Sequence, residues 1–124
     1  MADKYYTKNG EWVARSGPRW KVGLSVSAVG DLGDVTFVAL PQVGRAVAAG
    51  EAVCALEAVK AAADYYCPVD GRVSAVNSVL VTEPGLLNTS PEDDGWLFEL
   101  EAVPGDSLDA LLDEAAWKAW EAGR

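Results

Sequence analysis

The sequence predicts a single domain that combines several β-strands with a C-terminal α-helix. Two runs rich in β-branched and aromatic residues, 33–40 and 95–100, are bounded by glycine or proline, as strands often are. After Pro104-Gly105, apolar residues recur with helical spacing. The chain has 124 residues, half of them apolar, which suits one domain with its own core. We therefore expect residues 1–124 to form one domain.

The first half of the chain contains three strand candidates and one short helix. The strongest strand candidate is 33–40, GDVTFVAL, and weaker ones lie at 11–13 and 20–24. Between the two weaker strands and the strong one, Ser25 can accept a hydrogen bond as the N-cap of a short helical turn that reaches Asp31. The order of elements is then strand, strand, short helix, strand.

One short motif, PxxGR, occurs twice. The copies are Pro41-Gln42-Val43-Gly44-Arg45 and Pro68-Val69-Asp70-Gly71-Arg72. Each copy precedes a run that contains valine, so the two copies could mark similar half-units of the domain. Chance recurrence of so short a motif explains the pattern equally well.

Residues 50–64, GEAVCALEAVKAAAD, favour a helix by local propensity because alanine, leucine, glutamate and lysine dominate. In such a helix Lys60 would be an ordinary solvated lysine. The flanking Gly50 and Pro68 fit a helix or a two-stranded hairpin. Local reasoning alone favours the helix.

The end of the chain predicts a helix over about 107–122, capped by Asp106 or Ser107. Its apolar stripe would consist of Leu108, Leu111, Leu112, Ala115 and Ala119. Trp117 and Trp120 flank this stripe. They could bind a partner, but packing of the helix on its own domain is the simpler interpretation.

Composition excludes several function classes. The formal net charge is −9 with scattered Lys and Arg, which argues against nucleic-acid binding. The absence of histidine removes the commonest metal ligand and general base, and two cysteines cannot form a zinc site alone. There is no GxSxG motif and no apolar run long enough to span a bilayer. We expect a cytoplasmic protein without a metal site, catalytic residues or a membrane partner.

Residues 56–64, LEAVKAAAD, followed by Pro68-Val69-Asp70-Gly71, resemble the lipoylation region of the glycine cleavage system H protein family. That family typically reads E-S-V-K-A-A-S-D and then S-P-V-S-G. Further stretches resemble family motifs in the right order and cover nearly the whole chain: 4–7 (KYYT), 11–13 (EWV), 22–25 (VGLS), 32–35 (LGDV), 37–41 (FVALP), 88–91 (NTSP) and 95–97 (GWL).

The resemblance implies a mainly β fold: a barrel-sandwich hybrid of two antiparallel sheets with short helices and a C-terminal α-helix. It also implies that the local preference for a helix over 50–64 is overridden, because tertiary context routinely overrides propensity. Lys60 would then lie at the tip of a β-hairpin. The two PxxGR motifs would be matching corners of the two halves.

The family carries covalently attached lipoate, and the resemblance places that attachment on Lys60. Glu57 matches a family position for which recognition by the lipoylating enzyme is expected, with a solvated charge as the alternative. Glu11 and Asp64 match residues associated with the cleft that shields the loaded arm. For Glu11, the alternative is a surface charge on an edge strand.

The implied function is that of a non-catalytic swinging-arm carrier in glycine catabolism. Such a carrier shuttles the aminomethyl group of glycine between glycine decarboxylase, aminomethyltransferase and dihydrolipoyl dehydrogenase. A lipoate ligase or a lipoyl/octanoyl transferase would attach the cofactor. The family is typically monomeric.

Several substitutions depart from the family pattern. Gly10 stands where the family has the histidine of H-E-W, Asp31 replaces a histidine before L-G, and Val26 and Ala58 replace an acid and a serine. They leave two alternatives open: an H-like lipoate carrier for another redox or lipoate-relay pathway, or an unmodified interaction module.

Cys54 and Cys67 flank the proposed hairpin. With 59–60 as the turn, Cys54 should oppose Tyr65 and Cys67 should oppose Ala52, so that both thiols share a face. We expect free thiols, and a redox role beside the dithiolane is a further possibility.

Overall fold

The computed structural model describes residues 4–123, which form two antiparallel sheets, four helices and one 3-10 turn. The strands are β1 (Lys4–Tyr6), β2 (Glu11–Ser16), β3 (Arg19–Leu24), β4 (Val35–Ala39), β5 (Ala46–Val47), β6 (Ala52–Ala58), β7 (Ala62–Tyr66), β8 (Gly71–Val76), β9 (Phe98–Glu101) and β10 (Leu112–Asp113). The helices are α1 (Val26–Leu32), α2 (Val79–Thr82), α3 (Leu86–Thr89) and α4 (Glu114–Ala122), and the 3-10 turn is Ser107–Ala110.

The larger sheet has the strand order β10-β1-β2-β3-β9-β8-β5, and the smaller has the order β4-β6-β7. A buried apolar cluster, whose members include Val13, Leu24, Leu56 and Phe98, draws side chains from both sheets. The expected fold of two antiparallel sheets with short helices and a C-terminal helix is confirmed. No helix within residues 4–123 has the length and hydropathy needed to cross a membrane.

The early elements form where the sequence predicts them. Strands β2 and β3 contain the predicted segments 11–13 and 20–24, and β4 lies within the predicted segment 33–40. Ser25 caps α1 as expected, because its hydroxyl accepts a hydrogen bond from the backbone N–H of Ala28 at 3.2 Å. Val29 and Leu32 of this helix are buried against the core.

The local preference for a helix over 50–64 is wrong, and the hairpin expected from the family resemblance is confirmed. Strand β6 pairs with β7 on one side and with β4 on the other. Leu56 and Tyr65 face the core, whereas Glu57 and Asp64 are exposed. Pairing with β4 supplies hydrogen bonds and burial that helix propensity does not take into account.

The two PxxGR corners meet in the structure. Strand β5 follows the first corner, β8 begins within the second, and the two pair through Ala46–Arg72 and Val47–Gly71. Two backbone hydrogen bonds extend this pairing: Gly44 N–H to Val73 O at 2.8 Å, and Val73 N–H to Arg45 O at 2.9 Å. The recurrence of the motif therefore corresponds to two corners that contact each other.

The strand predicted at 95–100 begins later, at Phe98, and ends at Glu101. Gly95 belongs to a turn in which its N–H donates to Ser90 O at 2.7 Å. A Cβ on Gly95 would lie 2.7 Å from that same oxygen, so the turn needs glycine at this position.

The predicted helix over 107–122 is wrong in its first half. Residues 107–110 form a 3-10 turn, and Leu112 and Asp113 pair with Tyr6 and Tyr5 of β1. The helix begins only at Glu114, capped by Asp113, whose carboxylate accepts from Ala116 N–H at 2.8 Å. Backbone pairing with an edge strand thus outweighs the helical spacing of the leucines.

The proposed stripe of the C-terminal helix does not exist, because Ala115 and Ala119 are exposed. The buried residue of α4 is Trp117, which stacks on Tyr6 with ring centroids 5.1 Å apart and an interplanar angle of 7°. Trp120 packs beside Trp117, with centroids 5.4 Å apart. The tryptophans therefore hold the helix on its own domain, which was the simpler of the two interpretations.

Candidate functional site

Lys60 lies in the tight turn that joins β6 to β7. The turn is closed by a hydrogen bond from Ala58 N–H to Ala61 O at 2.8 Å. Lys60 and its neighbour Val59 are both exposed, Val59 to 74%. The tip of a two-stranded hairpin therefore presents the lysine amine to solvent, where an enzyme can reach it.

The tip rests on the segment that leads from α1 into β4. The N–H of Val59 donates to Asp34 O at 3.0 Å. The stem of Lys60 runs across Gly33, since a Cβ added to Gly33 would lie 3.2–3.3 Å from Lys60 Cγ, Cδ and Cε. Gly33 has φ +79°, a conformation that favours glycine. Gly33 therefore provides both the turn and a flat surface beneath the lysine stem.

Asn88 of α3 holds this segment in place. Its side-chain amide donates to Gly33 O at 2.8 Å and accepts from Val35 N–H at 2.9 Å. Sequence reasoning assigned no role to Asn88 or Gly33. The signals present in the sequence were the N-x-x-P and L-G-D motifs that contain them, but neither motif shows which backbone groups the amide contacts.

Glu57 is exposed on the outer face of the small sheet, three residues before Lys60. Its backbone partners are Phe37 of β4 and Ala62 of β7. Phe37 is also exposed, to 51%. An enzyme approaching Lys60 from this face meets a carboxylate beside an aromatic ring.

Glu11 is buried, with 2% of its surface exposed, in a strand that lies between β1 and β3. The alternative of a surface charge on an edge strand is therefore wrong. Its carboxylate accepts hydrogen bonds from the Thr7 hydroxyl, from Asn9 Nδ2 at 2.9 Å and from Tyr66 N–H at 3.0 Å. These bonds satisfy the charge and join the large sheet to the base of the hairpin.

Glu11 and Asp64 line different cavities. Glu11 lies in a cavity of about 390 Å³ together with Tyr66 and Cys67. Asp64 is exposed on β7 opposite Ala55 and lines a cavity of about 220 Å³ beside β4 and β6. The structure thus places these two acids in separate cavities, Glu11 on the large sheet and Asp64 on the hairpin.

A third cavity, of about 240 Å³, lies between α1 and the hairpin and contains Asp31 and Tyr65. Burial raises the pKa of the Tyr65 hydroxyl, and the charges of Glu11 and Asp31 raise it further. Asp31, one of the substituted positions noted in the sequence, is exposed and lines this cavity together with a buried tyrosine.

Both cysteines are free and buried. Cys54 opposes Tyr65 as expected, but the partner of Ala52 is Tyr66 and not Cys67, because the register shifts between Ala52 and Cys54. Burial raises the pKa of the Cys54 thiol to about 12 and that of Cys67 to about 11. Neither thiol is a reactive thiolate at neutral pH.

Across residues 4–123, no group of three or more His, Cys, Asp or Glu side chains could hold a metal ion. The reactive group that the site offers is the amine of Lys60, which stands exposed on a braced turn. Such an amine suits acylation in the active site of another protein.

A family model described as "Glycine cleavage H-protein" matches residues 4–121. A glycine cleavage system H protein from Thermotoga maritima is 48% identical over 118 residues, covering 95% of each chain. The corresponding protein from Bradyrhizobium diazoefficiens is 41% identical, over 96% of this chain and 98% of its own. The crystal structure of a glycine cleavage system H protein from Mycobacterium marinum superposes with a TM-score of 0.86 at 31% identity, covering 97% of both chains.

Proposed function

This chain belongs to the glycine cleavage H-protein family, and we propose on that basis that Lys60 is its lipoyl attachment residue. The chain is a non-catalytic lipoyl carrier of the glycine cleavage system. It moves the aminomethyl group of glycine between glycine decarboxylase, aminomethyltransferase and dihydrolipoyl dehydrogenase. A lipoate ligase or a lipoyl/octanoyl transferase attaches the cofactor.

The observation that carries the assignment is the position of Lys60 at an exposed hairpin tip. Attachment forms an amide between the lysine amine and an activated lipoyl carboxyl group, which requires an amine that can enter another enzyme. When bound, the dithiolane supplies a disulfide that opens and recloses by exchange. The chain's own contribution is to present the arm and to dock its partners, which raises the effective concentration of the arm's end.

Three acids have proposed roles around the arm. Glu57 is exposed beside the tip and is a recognition residue for the lipoylating enzyme. Glu11 and Asp64 contribute to holding the arm, although they line different cavities. For Glu11 this role would add to its structural hydrogen bonds, because its carboxylate already accepts three of them. We further propose that residues 1–124 form one monomeric lipoyl-carrier domain that works in the cytoplasm.

The attachment is tested by intact mass after incubation with lipoate, ATP and a lipoate protein ligase. The wild type should gain one lipoyl group, and Lys60→Arg should gain none. Lys118→Arg, at another exposed lysine, should behave like the wild type. A lipoyl group on Lys60→Arg would exclude Lys60 as the attachment site, and an unmodified wild type would exclude lipoylation.

The cargo is tested separately. Fully lipoylated protein, incubated with glycine decarboxylase and isotope-labelled glycine, should gain the labelled aminomethyl group by mass. A fully lipoylated chain that gains no label would point instead to an H-like carrier for another pathway. The family match and the relatives' names favour glycine cleavage.

A further inference from the structure

We propose that Asn88 and Gly33 are positioning residues for lipoyl attachment, which together hold residues 33–35 as a platform that presents Lys60. This inference rests on the proposed role of Lys60. It assigns to these two residues a part in the reaction that is separate from stabilising the fold. Three sets of contacts support it: between α3 and the platform, between the platform and the hairpin tip, and between Gly33 and the lysine stem.

The first set of contacts consists of two hydrogen bonds between the Asn88 side chain and the backbone of the platform. The amide nitrogen donates to Gly33 O at 2.8 Å and the amide oxygen accepts from Val35 N–H at 2.9 Å. The two bonds bracket Asp34 and use both ends of one planar group, so the peptide planes on either side of Asp34 are fixed. The neighbouring Leu87 is fully buried and anchors α3 in the core.

The second contact joins the platform to the hairpin tip. Asp34, which the Asn88 bonds bracket, offers its carbonyl oxygen to Val59 N–H at 3.0 Å. Val59 directly precedes Lys60 in the turn. The orientation of the Asp34 carbonyl therefore sets the position of the tip, and Asn88 sets the orientation of that carbonyl.

The third contact is the surface beneath the lysine. The stem of Lys60 lies so close to Gly33 that a Cβ there would be 3.2 Å from Cδ. An alanine at position 33 would bring its Cβ into close contact with the stem. Its backbone would also be strained, because position 33 has φ +79°. Glycine at this position therefore lets the stem lie directly against the platform.

An enzyme that acylates Lys60 must find the amine in one orientation. A tip that samples many orientations lowers the fraction of binding-competent molecules, and the apparent dissociation constant rises by the inverse of that fraction. The platform should therefore lower the KM of the ligase for this protein and leave kcat nearly unchanged, because the chemistry takes place in the enzyme.

The chain contains a matched control for Asn88. Asn77 also bridges two backbone groups with its side chain, donating to Asp94 O at 2.9 Å and to Trp96 O at 2.8 Å. It is 6% exposed and braces a different turn. Loss of either side chain removes two hydrogen bonds, but only the loss of Asn88 should disturb Lys60.

The experiment compares Asn88→Ala, Asn88→Asp and Asn77→Ala in the full chain with a lipoate protein ligase, lipoate and ATP. Asn88→Ala should raise KM for the apoprotein about five- to tenfold at nearly constant kcat. Asn88→Asp, which accepts from Val35 N–H but turns a second oxygen toward Gly33 O, should raise KM at least as much as Asn88→Ala. Asn77→Ala should lower Tm and leave KM unchanged. A KM that is unchanged in Asn88→Ala, or raised equally in Asn77→Ala, would overturn the proposal.

Gly33→Ala is paired with Gly44→Ala to separate backbone strain from contact with the lysine. Gly44 has φ +92°, but a Cβ there would meet no other atom within 4 Å, whereas a Cβ on Gly33 would meet the lysine stem. Both variants should lose similar stability, and only Gly33→Ala should raise KM. Equal KM values for the two variants would contradict a role of the Gly33 surface.

Hydrogen exchange of the Val59 amide provides a readout that does not depend on lipoylation. Asn88→Ala should speed exchange at Val59 relative to the wild type, and Asn77→Ala should not. If the wild type were never lipoylated, the proposed function would fail while this exchange result still reported on the platform. If lipoylation were normal but Val59 exchange and KM were unaffected by Asn88→Ala, only the positioning proposal would fail.

Discussion

The carboxylate of Glu11 accepts a hydrogen bond from the backbone N–H of Tyr66 at 3.0 Å and thereby joins the two sheets at the base of the lysine hairpin. Tyr66 is the last residue of β7, the edge strand of the small sheet, and its N–H donates to this residue of the large sheet. A buried carboxylate with three hydrogen bonds is well satisfied, but any change that leaves a donor unpaired costs stability.

We therefore expect Glu11→Gln to lower the free energy of unfolding by about 2–4 kcal/mol, since the amide group turns a donor toward other donors. Urea denaturation measures this loss. Glu51→Gln is the control, because that carboxylate also accepts a backbone N–H, from Ala48 at 3.0 Å, but is 38% exposed. Equal losses in the two variants would contradict a special role of Glu11 as the link between the sheets.

Glu57→Gln should reduce the rate of lipoylation without a change in fold, because the exposed carboxylate stands beside the tip at which we propose that the enzyme binds. We expect a reduction in kcat/KM of about tenfold or less, as for one charged contact at an interface rim. Intact-mass time courses give the rate. Glu114→Gln, an exposed glutamate on α4, should leave the rate unchanged.

The thiols should make the fold less stable as pH rises above about 9. The unfolded thiols lose their protons near their ordinary pKa of 9.0, whereas burial keeps the folded Cys54 and Cys67 protonated up to pKa values of about 12 and 11. The folded state then binds more protons than the unfolded state, so each thiol costs about 1.4 kcal/mol of stability per pH unit until its folded pKa is reached.

This pH effect is measured as the difference in unfolding free energy between the wild type and the double variant Cys54→Ala and Cys67→Ala. Both proteins contain the same tyrosines, so taking the difference cancels the effect of tyrosine titration. A difference that stays constant from pH 8 to pH 11 would contradict it. In the folded protein at pH 8, a thiol reagent should react slowly with both cysteines and rapidly after denaturation.

Trp117→Ala should lower stability by about 3 kcal/mol or more, because it empties a buried site and removes the stack on Tyr6. Trp120→Ala should cost less, since Trp120 is only partly buried. Thermal unfolding of both variants provides the measurement. A larger loss at Trp120 would mean that α4 is held mainly by its outer tryptophan.

The sequence alone predicts those elements whose signals are local. Ser25 caps α1 because its hydroxyl needs only the N–H three residues on, and β4 forms where GDVTFVAL predicts it. The hairpin that carries Lys60 has no such signal: its residues prefer a helix, and only pairing with β4 and burial against the core make them strands. The family resemblance supplied what local propensity could not.

The start of the C-terminal helix was mispredicted for the same reason. The helical spacing from Leu108 onward is real, yet the chain extends at Leu112 and Asp113 to pair with β1 before the helix begins. At the site, the motif around Lys60 is sufficient to propose it as the attachment residue. The brace from Asn88 could not, because it joins groups that lie 53 and 55 positions apart in the chain.

The pairing of Val47 with Gly71 means that the chain leaves the large sheet and returns to it at adjacent points. The intervening segment, which contains Lys60, therefore begins and ends at two strands that main-chain hydrogen bonds join to each other. The same residues are held a second time by the pairing of β6 with β4, so the lysine hairpin is attached to both sheets and cannot move independently of either.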